Sequence, residues 1–223
     1  MANALIIDRD GVLTYWDLVA AEAFFRDAFP RPVGELEALL RTHAMRIGQP
    51  TDEVTRKQWW TSFWEYLETV VPLCAVQREK LRTLDACALL RVYEDARPAL
   101  IIARTMGVRV GVLSNFALAP LAQSLHQLGL SDAVDVSRQS AELGALKPAP
   151  EAFLAMAQLL STDPADCLVL DDRPEHVAAA RKLGMQAFRV NRNAPEDDFD
   201  RCEVKDLAAI RTLLAPRNHQ VSR

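Results

Sequence analysis

The stretch "ALIIDRDGVLTYW", residues 4–16, sits near the start of the 223-residue chain and decides how the rest is read. Four apolar residues, Ala4–Ile7, lead into Asp8 and Asp10, with Gly11 behind them. A short apolar run of this kind fits a strand covered on both faces. Two carboxylates one residue apart at the end of such a strand repel each other, and neither tolerates a dry setting without a partner. The segment therefore predicts a place where positive charge meets a strand end.

Further along, four segments share the character of the first: "VRVGVLS" (108–114), "AVDVS" (133–137), "CLVLD" (167–171) and "QAFRV" (186–190). Apolar-periodic helical patterns lie between them, at 94–106, 117–128, 149–160 and 174–183. Gly107, Gly129 and Gly184 follow three of these as helix stops. Strand–helix alternation predicts an α/β fold, a doubly wound parallel sheet with right-handed crossovers. One interval breaks the rhythm. Residues 15–93 show no strand pattern and read as about four helices, near 17–29, 34–47, 52–70 and 75–90. They are separated by "FPRP" (29–32), "GQPT" (48–51) and "VVP" (70–72), with Thr51 as an N-cap. The expected organisation is an α/β core of residues 1–14 and 94–223, interrupted by an inserted all-helical domain, 15–93. The polar tail 216–223 is predicted to fray.

Totals narrow the function. Lys and Arg number 26 against 30 Asp and Glu, a net charge of −4. No basic segment points to nucleic acid, and any attraction for an anion must be local. The N-terminus lacks a basic n-region, and no uncharged stretch reaches the length of a membrane span. Cys74, Cys87, Cys167 and Cys202 are scattered without zinc-type spacing, which fits reduced thiols in the cytoplasm.

In an open α/β sheet, ligands bind beyond the carboxyl ends of the strands. Asp8 and Asp10 follow the first strand, Ser114 and Asn115 the second, and Asp171 and Asp172 the fourth. Lys147, in "LGALKPAPEAF" (143–153), opens the helix before the fourth strand. Carboxylates without imidazole or thiolate suit a hard cation such as Mg²⁺. A cation, a lysine and neutral donors together suit a phosphate dianion.

"DRDGVL" (8–13), Ser114, Lys147 and "LVLDDRPEHVAAARKLGM" (168–185), in that order, resemble the haloacid dehalogenase superfamily of phosphohydrolases. The resemblance covers nearly the whole chain and makes 15–93 a cap domain that closes over the site. It implies that Asp8 is the nucleophile forming an aspartyl-phosphate, and Asp10 the general acid/base whose backbone carbonyl also meets the metal. Ser114 would bind the transferring phosphoryl group, with Asn115 either on the substrate or capping the next helix. Lys147 would offset charge on phosphate and on Asp8. Asp172 would be the direct metal ligand, with Asp171 beside it, directly or through water. The family often has an acid four residues after its main ligand; here His176 stands there, read foremost as a partly exposed helix histidine, with a hydrogen bond near the site as the other reading. Asp10 argues against carbon–halogen cleavage, since dehalogenase members generally lack that second aspartate.

The implied activity is Mg²⁺-dependent hydrolysis of a small phosphorylated metabolite. The alternatives are a sugar phosphomutase and a catalytically silent binding or regulatory module. Tyr15 and Trp16 are candidate substrate contacts. "WWTSFWEYLETVV" (59–71) reads foremost as the packed core of the helical domain, with a specificity pocket or a homodimer surface as the other readings.

Overall fold

The computed structural model describes residues 2–115 and 119–215. The tail at 216–223 and the first positions of the helix expected at 117–128 lie outside the described residues. The described chain falls into two compact units, one of residues 2–15, 92–115 and 121–215, the other of residues 16–91 with 119–120.

The first unit is built on a six-stranded sheet. Its strands are β1 (Ala4–Ile7), β4 (Arg109–Ser114), β5 (Val136–Gln139), β6 (Cys167–Asp171), β7 (Gln186–Val190) and β8 (Glu203–Val204). They lie in the order β5-β4-β1-β6-β7-β8, and every pairing is parallel. This is the doubly wound arrangement that the alternation predicts.

The period-2 geometry of a strand divides the apolar residues between two faces. Leu5, Ile7, Val110, Val112, Leu168 and Leu170 join one core, with helices α5 (Ala96–Thr105), α6 (Leu121–Gln127) and α9 (Ile210–Leu214). Ala4, Ile6, Leu113, Cys167 and Val169 join the other, with α7 (Pro150–Leu159) and α8 (Pro174–Lys182). Because both faces are covered, β1, residues 110–113 of β4 and residues 167–170 of β6 are continuously apolar. Gly111 lies against the C-terminal end of α7: a Cβ there would stand 2.8 Å from Leu160 Cδ1 and 3.1 Å from Met156 Sδ.

The third predicted strand, 133–137, forms three residues later. Ser131–Ala133 is instead a 3-10 turn, and the ladder pairs Gly111 with Val136. Asp135, within the predicted strand, accepts a hydrogen bond from Val110 N (2.7 Å) and pairs with Arg104 (2.9 Å), fixing the entry.

The second unit holds α1 (Leu18–Ala28), α2 (Val33–Ile47), α3 (Glu53–Val70) and α4 (Ala75–Arg82). Phe63, Leu67, Trp59, Phe25 and Leu81 form its core, so the aromatic run is foremost packing. Asp52, not Thr51, caps α3: its side chain accepts from Thr55 N, and Thr55 Oγ1 accepts from Asp52 N. The last helix ends at Arg82 rather than near 90, because Asp85 caps a separate 3-10 turn, Ala86–Leu89. Strand pairing is also present where none is expected, since β2 (Thr14–Trp16) and β3 (Leu90–Val92) form a two-stranded ribbon. No helix among the described residues is long and apolar enough to cross a membrane.

Candidate active site

The sheet order reverses at β1, with β4 on one side and β6 on the other, so the carboxyl ends of these three strands face one crevice. Asp8 follows β1, Ser114 ends β4 and Asp171 ends β6. Lys147 enters from the loop before α7. Its Nζ lies 2.9 Å from Asp8 Oδ1 and 2.7 Å from Asp171 Oδ2, with all three side chains buried. One buried cation thus bridges two strand-end acids, which answers the charge problem the first strand poses.

Asp171 is anchored on both oxygens. Oδ2 takes Lys147, while Oδ1 accepts from His176 Nδ1 at 2.9 Å and from Arg173 N at 3.0 Å. His176 is 4 % exposed, so the reading as a partly exposed helix histidine gives way to the one that has it hydrogen-bonding near the site. Its place in the first turn of α8 turns the ring back onto the end of β6.

Asn115 also braces the lysine. Its Nδ2 donates to Lys147 O (2.7 Å), and its Oδ1 accepts from Lys147 N (2.9 Å). The side-chain amide pairs with the Lys147 backbone as a neighbouring strand would. Ser114 is buried beside it.

The electrostatics follow from burial. Burial pushes the Asp8 carboxyl up to about 7; Lys147 opposes this, and the charges of Asp171 and Asp10 add to it. Burial and the neighbouring Asp171 also raise Asp172. Burial alone would lower Lys147, but Asp8 and Asp171 hold it above its ordinary value. Burial works upward on Asp171, yet His176 and Lys147 keep it below the usual carboxylate range.

One carboxylate oxygen from each of Asp8, Asp171 and Asp172 lies within 4.8 Å of the others. This all-oxygen donor set, short of positive charge at Asp8 and Asp172, fits a hard divalent cation. Gly11 permits the approach of Asp172. It lies at φ +82°, and a Cβ there would be 2.6 Å from Asp172 Oδ2.

The Asp10 carboxylate stands outside that trio and is held instead by Arg9 and Thr14. Arg9 is the residue that sequence reasoning missed: a cation between two surface-type letters looks solvated, yet it is buried. Tyr15 packs on Tyr93 (4.7 Å between ring centres), and the Arg192 guanidinium lies 3.8 Å over the Tyr93 ring. Trp16 packs against the core of the helical unit.

A family model described as haloacid dehalogenase-like hydrolase matches residues 2–184. The chain belongs to the haloacid dehalogenase-like hydrolases. A Mycobacterium tuberculosis protein named as a phosphatase is 37 % identical over 214 residues, covering 95 % of this chain and 96 % of that one. Hexitol phosphatase B of Escherichia coli is 27 % identical over 88 % of this chain and 86 % of its own. A HAD phosphatase from Thermococcus onnurineus superposes with a TM-score of 0.66 at 23 % identity, over 96 % of this chain and 98 % of that one. The L-2-haloacid dehalogenase of Xanthobacter autotrophicus superposes at 0.67 and 19 % identity, over the same shares. At these identities the structural matches speak for the haloacid dehalogenase fold alone. The hydrolase fold sets Asp8, Ser114, Lys147, Asp171 and Asp172 around one crevice.

Proposed function

We propose that this hydrolase is a Mg²⁺-dependent phosphatase of a small phosphomonoester, working through an aspartyl-phosphate on Asp8. The observation that carries the reading is the Lys147 bridge. Its ammonium engages Asp8 Oδ1 at 2.9 Å, which leaves Oδ2 to attack phosphorus. The 37 %-identical relative named as a phosphatase supports phosphatase activity.

Asp8, Asp172 and the backbone carbonyl of Asp10 would hold Mg²⁺, with Asp171 beside them. The bound cation would supply charge that keeps Asp8 ionised and offsets its repulsion from the phosphate dianion. Ser114 hydrogen-bonds the transferring group. Lys147 balances charge on it, and the pair of bonds from Asn115 keeps the lysine in place. In the first half-reaction an Asp8 oxygen bonds to phosphorus as the ester P–O bond breaks, and Asp10 gives its proton to the leaving oxygen. In the second, water attacks phosphorus and loses a proton to Asp10, and the Asp8–phosphate bond breaks.

The helical unit, residues 15–93 in this reading, acts as the cap that excludes water. All four cysteines are free thiols, which supports a reducing, cytoplasmic setting.

Phosphate release from a panel of phosphomonoesters, with Mg²⁺ and with EDTA, tests the reading. Metal-dependent release from the wild type that disappears in Asp8→Asn is the expected result. Phosphoryl transfer to an added sugar without free phosphate, or no turnover of any ester, would overturn it.

A further inference from the structure

The side chain of Arg9 is buried, and nothing in the reaction just proposed uses it. It is 1 % exposed and ranks among the largest fully buried side chains. Its Nε donates to Asp10 Oδ1 (3.0 Å) and its Nη2 to Asp10 Oδ2 (2.9 Å), a two-pronged grip on one carboxylate. Its Nη1 donates to Ser124 Oγ (2.9 Å) on α6, and Ser124 Oγ in turn donates to Leu121 O (2.7 Å). The backbone is pinned as well, since Leu13 N and Thr14 N both donate to Arg9 O at 2.8 Å.

Burying a guanidinium is costly, and two prongs on an adjacent residue are more than turn formation requires. The two oxygens of Asp10 are not equivalent. Oδ1 accepts from Arg9 Nε and also faces Thr14 Oγ1 at 3.2 Å, whereas Oδ2 faces Arg9 Nη2. A carboxylate oxygen has two lone-pair sites, so Oδ2 keeps capacity that Oδ1 has used. The Asp10 side chain is 28 % exposed, enough for a reacting group to reach it.

We infer that Arg9 is the positioning residue of Asp10: it fixes the carboxylate in one orientation and makes Oδ2 the oxygen that exchanges the proton. The inference rests on the reading of Asp10 as acid/base. The proton on Oδ2 passes to the leaving oxygen as the ester bond breaks, and a proton from water returns to Oδ2 in the second step. Without Arg9 the carboxylate swings among rotamers, and proton delivery suffers while phosphate binding does not.

Leaving-group dependence of kcat/KM is the test, because departure of the leaving group lies within that ratio. An alkyl phosphate needs its leaving oxygen protonated, whereas 4-nitrophenyl phosphate does not. Arg9→Met is expected to lose about 10–100-fold on the alkyl ester and under about 3-fold on the nitrophenyl ester, a partial loss of the ~10²–10⁴-fold that general acid–base catalysis contributes. Arg9→Lys keeps the charge without the fork and should show the same selective loss. Ser124→Ala removes the anchor and should show a smaller loss in the same sense; it decides the matter if the Arg9 variants do not fold. Equal losses on both esters in the folded variants would make Arg9 a structural brace and overturn the inference. Asp10→Asn separates the two levels. If it shows no leaving-group selectivity, the acid/base reading of Asp10 fails, whatever Arg9 does. If it does, adding Arg9→Met to it should bring no further selectivity.

Discussion

Removing the Asp8 charge should stabilise the metal-free protein while destroying its activity. The Asp8 carboxyl is moved from 3.8 to about 7, chiefly by burial. The ionised form is therefore disfavoured in the fold by at most about 4 kcal/mol, at about 1.4 kcal/mol for each pH unit. Asn is isosteric and neutral. It also weakens the hold on Lys147, which keeps Asp171 as a partner at 2.7 Å and so loses only one of two acidic contacts. We expect a net gain of about 2 kcal/mol, or roughly 4–8 °C in a chain of this length. The sign with pH follows from linkage. Between about 4 and 7 the folded protein holds a proton on Asp8 that the unfolded chain has released, so wild-type stability from this group falls as pH rises. The gap in favour of Asp8→Asn should open above pH 4 and be complete above about 7. Thermal melting in EDTA at pH 5 and pH 8 measures it, and added Mg²⁺ should close it by stabilising the wild type more. A variant equal to or less stable than wild type at pH 8 in EDTA, or a gap that does not grow with pH, would refute the reasoning.

Asp171→Ala strips Lys147, His176 and Arg173 N of one shared acceptor and should cost about 3–5 kcal/mol in urea unfolding, as broken buried ion pairs do. Gly11→Ala forces a Cβ to within 2.6 Å of Asp172 Oδ2 from a φ of +82°; calorimetric titration should show Mg²⁺ binding weakened by roughly 10–100-fold. Asn115→Ala frees the Lys147 backbone and should lower kcat about 10-fold, roughly 1.4 kcal/mol, with KM little changed in steady-state kinetics.

The parts of this molecule legible in its sequence are those set by local periodicity. β1, β4 and β6 lie where apolar runs of four residues end in polar ones, β7 where apolar residues interleave with Gln186 and Arg189, and both faces are covered. The strand-end acids are legible for the same reason, because a strand's end is visible and its chemistry sits there. What failed depends on partners distant in sequence. The start of β5 is set by pairing with Gly111 and by Asp135 reaching Val110 N, neither of which "AVDVS" shows. β8 has two residues and exists because Arg189 and Val190 offer it an edge. The helix expected to run to 90 stops at Arg82 since the Asp85 side chain starts a new turn, and Leu90–Val92 is claimed by the ribbon. Arg9 was illegible because its second anchor, Ser124, lies 115 residues away.

The contacts also explain why adjacent acids at the end of β6 need not be interchangeable. Asp171 faces inward at 1 % exposure, where an unpaired carboxylate would be expelled, and it accepts three donors instead. Asp172, the next residue, lies against the Gly11 turn, and burial and the charge of Asp171 keep it raised. One acid is thus neutralised within the protein and holds the lysine. The other retains unmet negative charge, as does Asp8 beyond what Lys147 offsets. In the proposed mechanism that residual charge is what draws a dication to Asp8 and Asp172, and the lysine, already fixed by Asp171, remains to meet the phosphate.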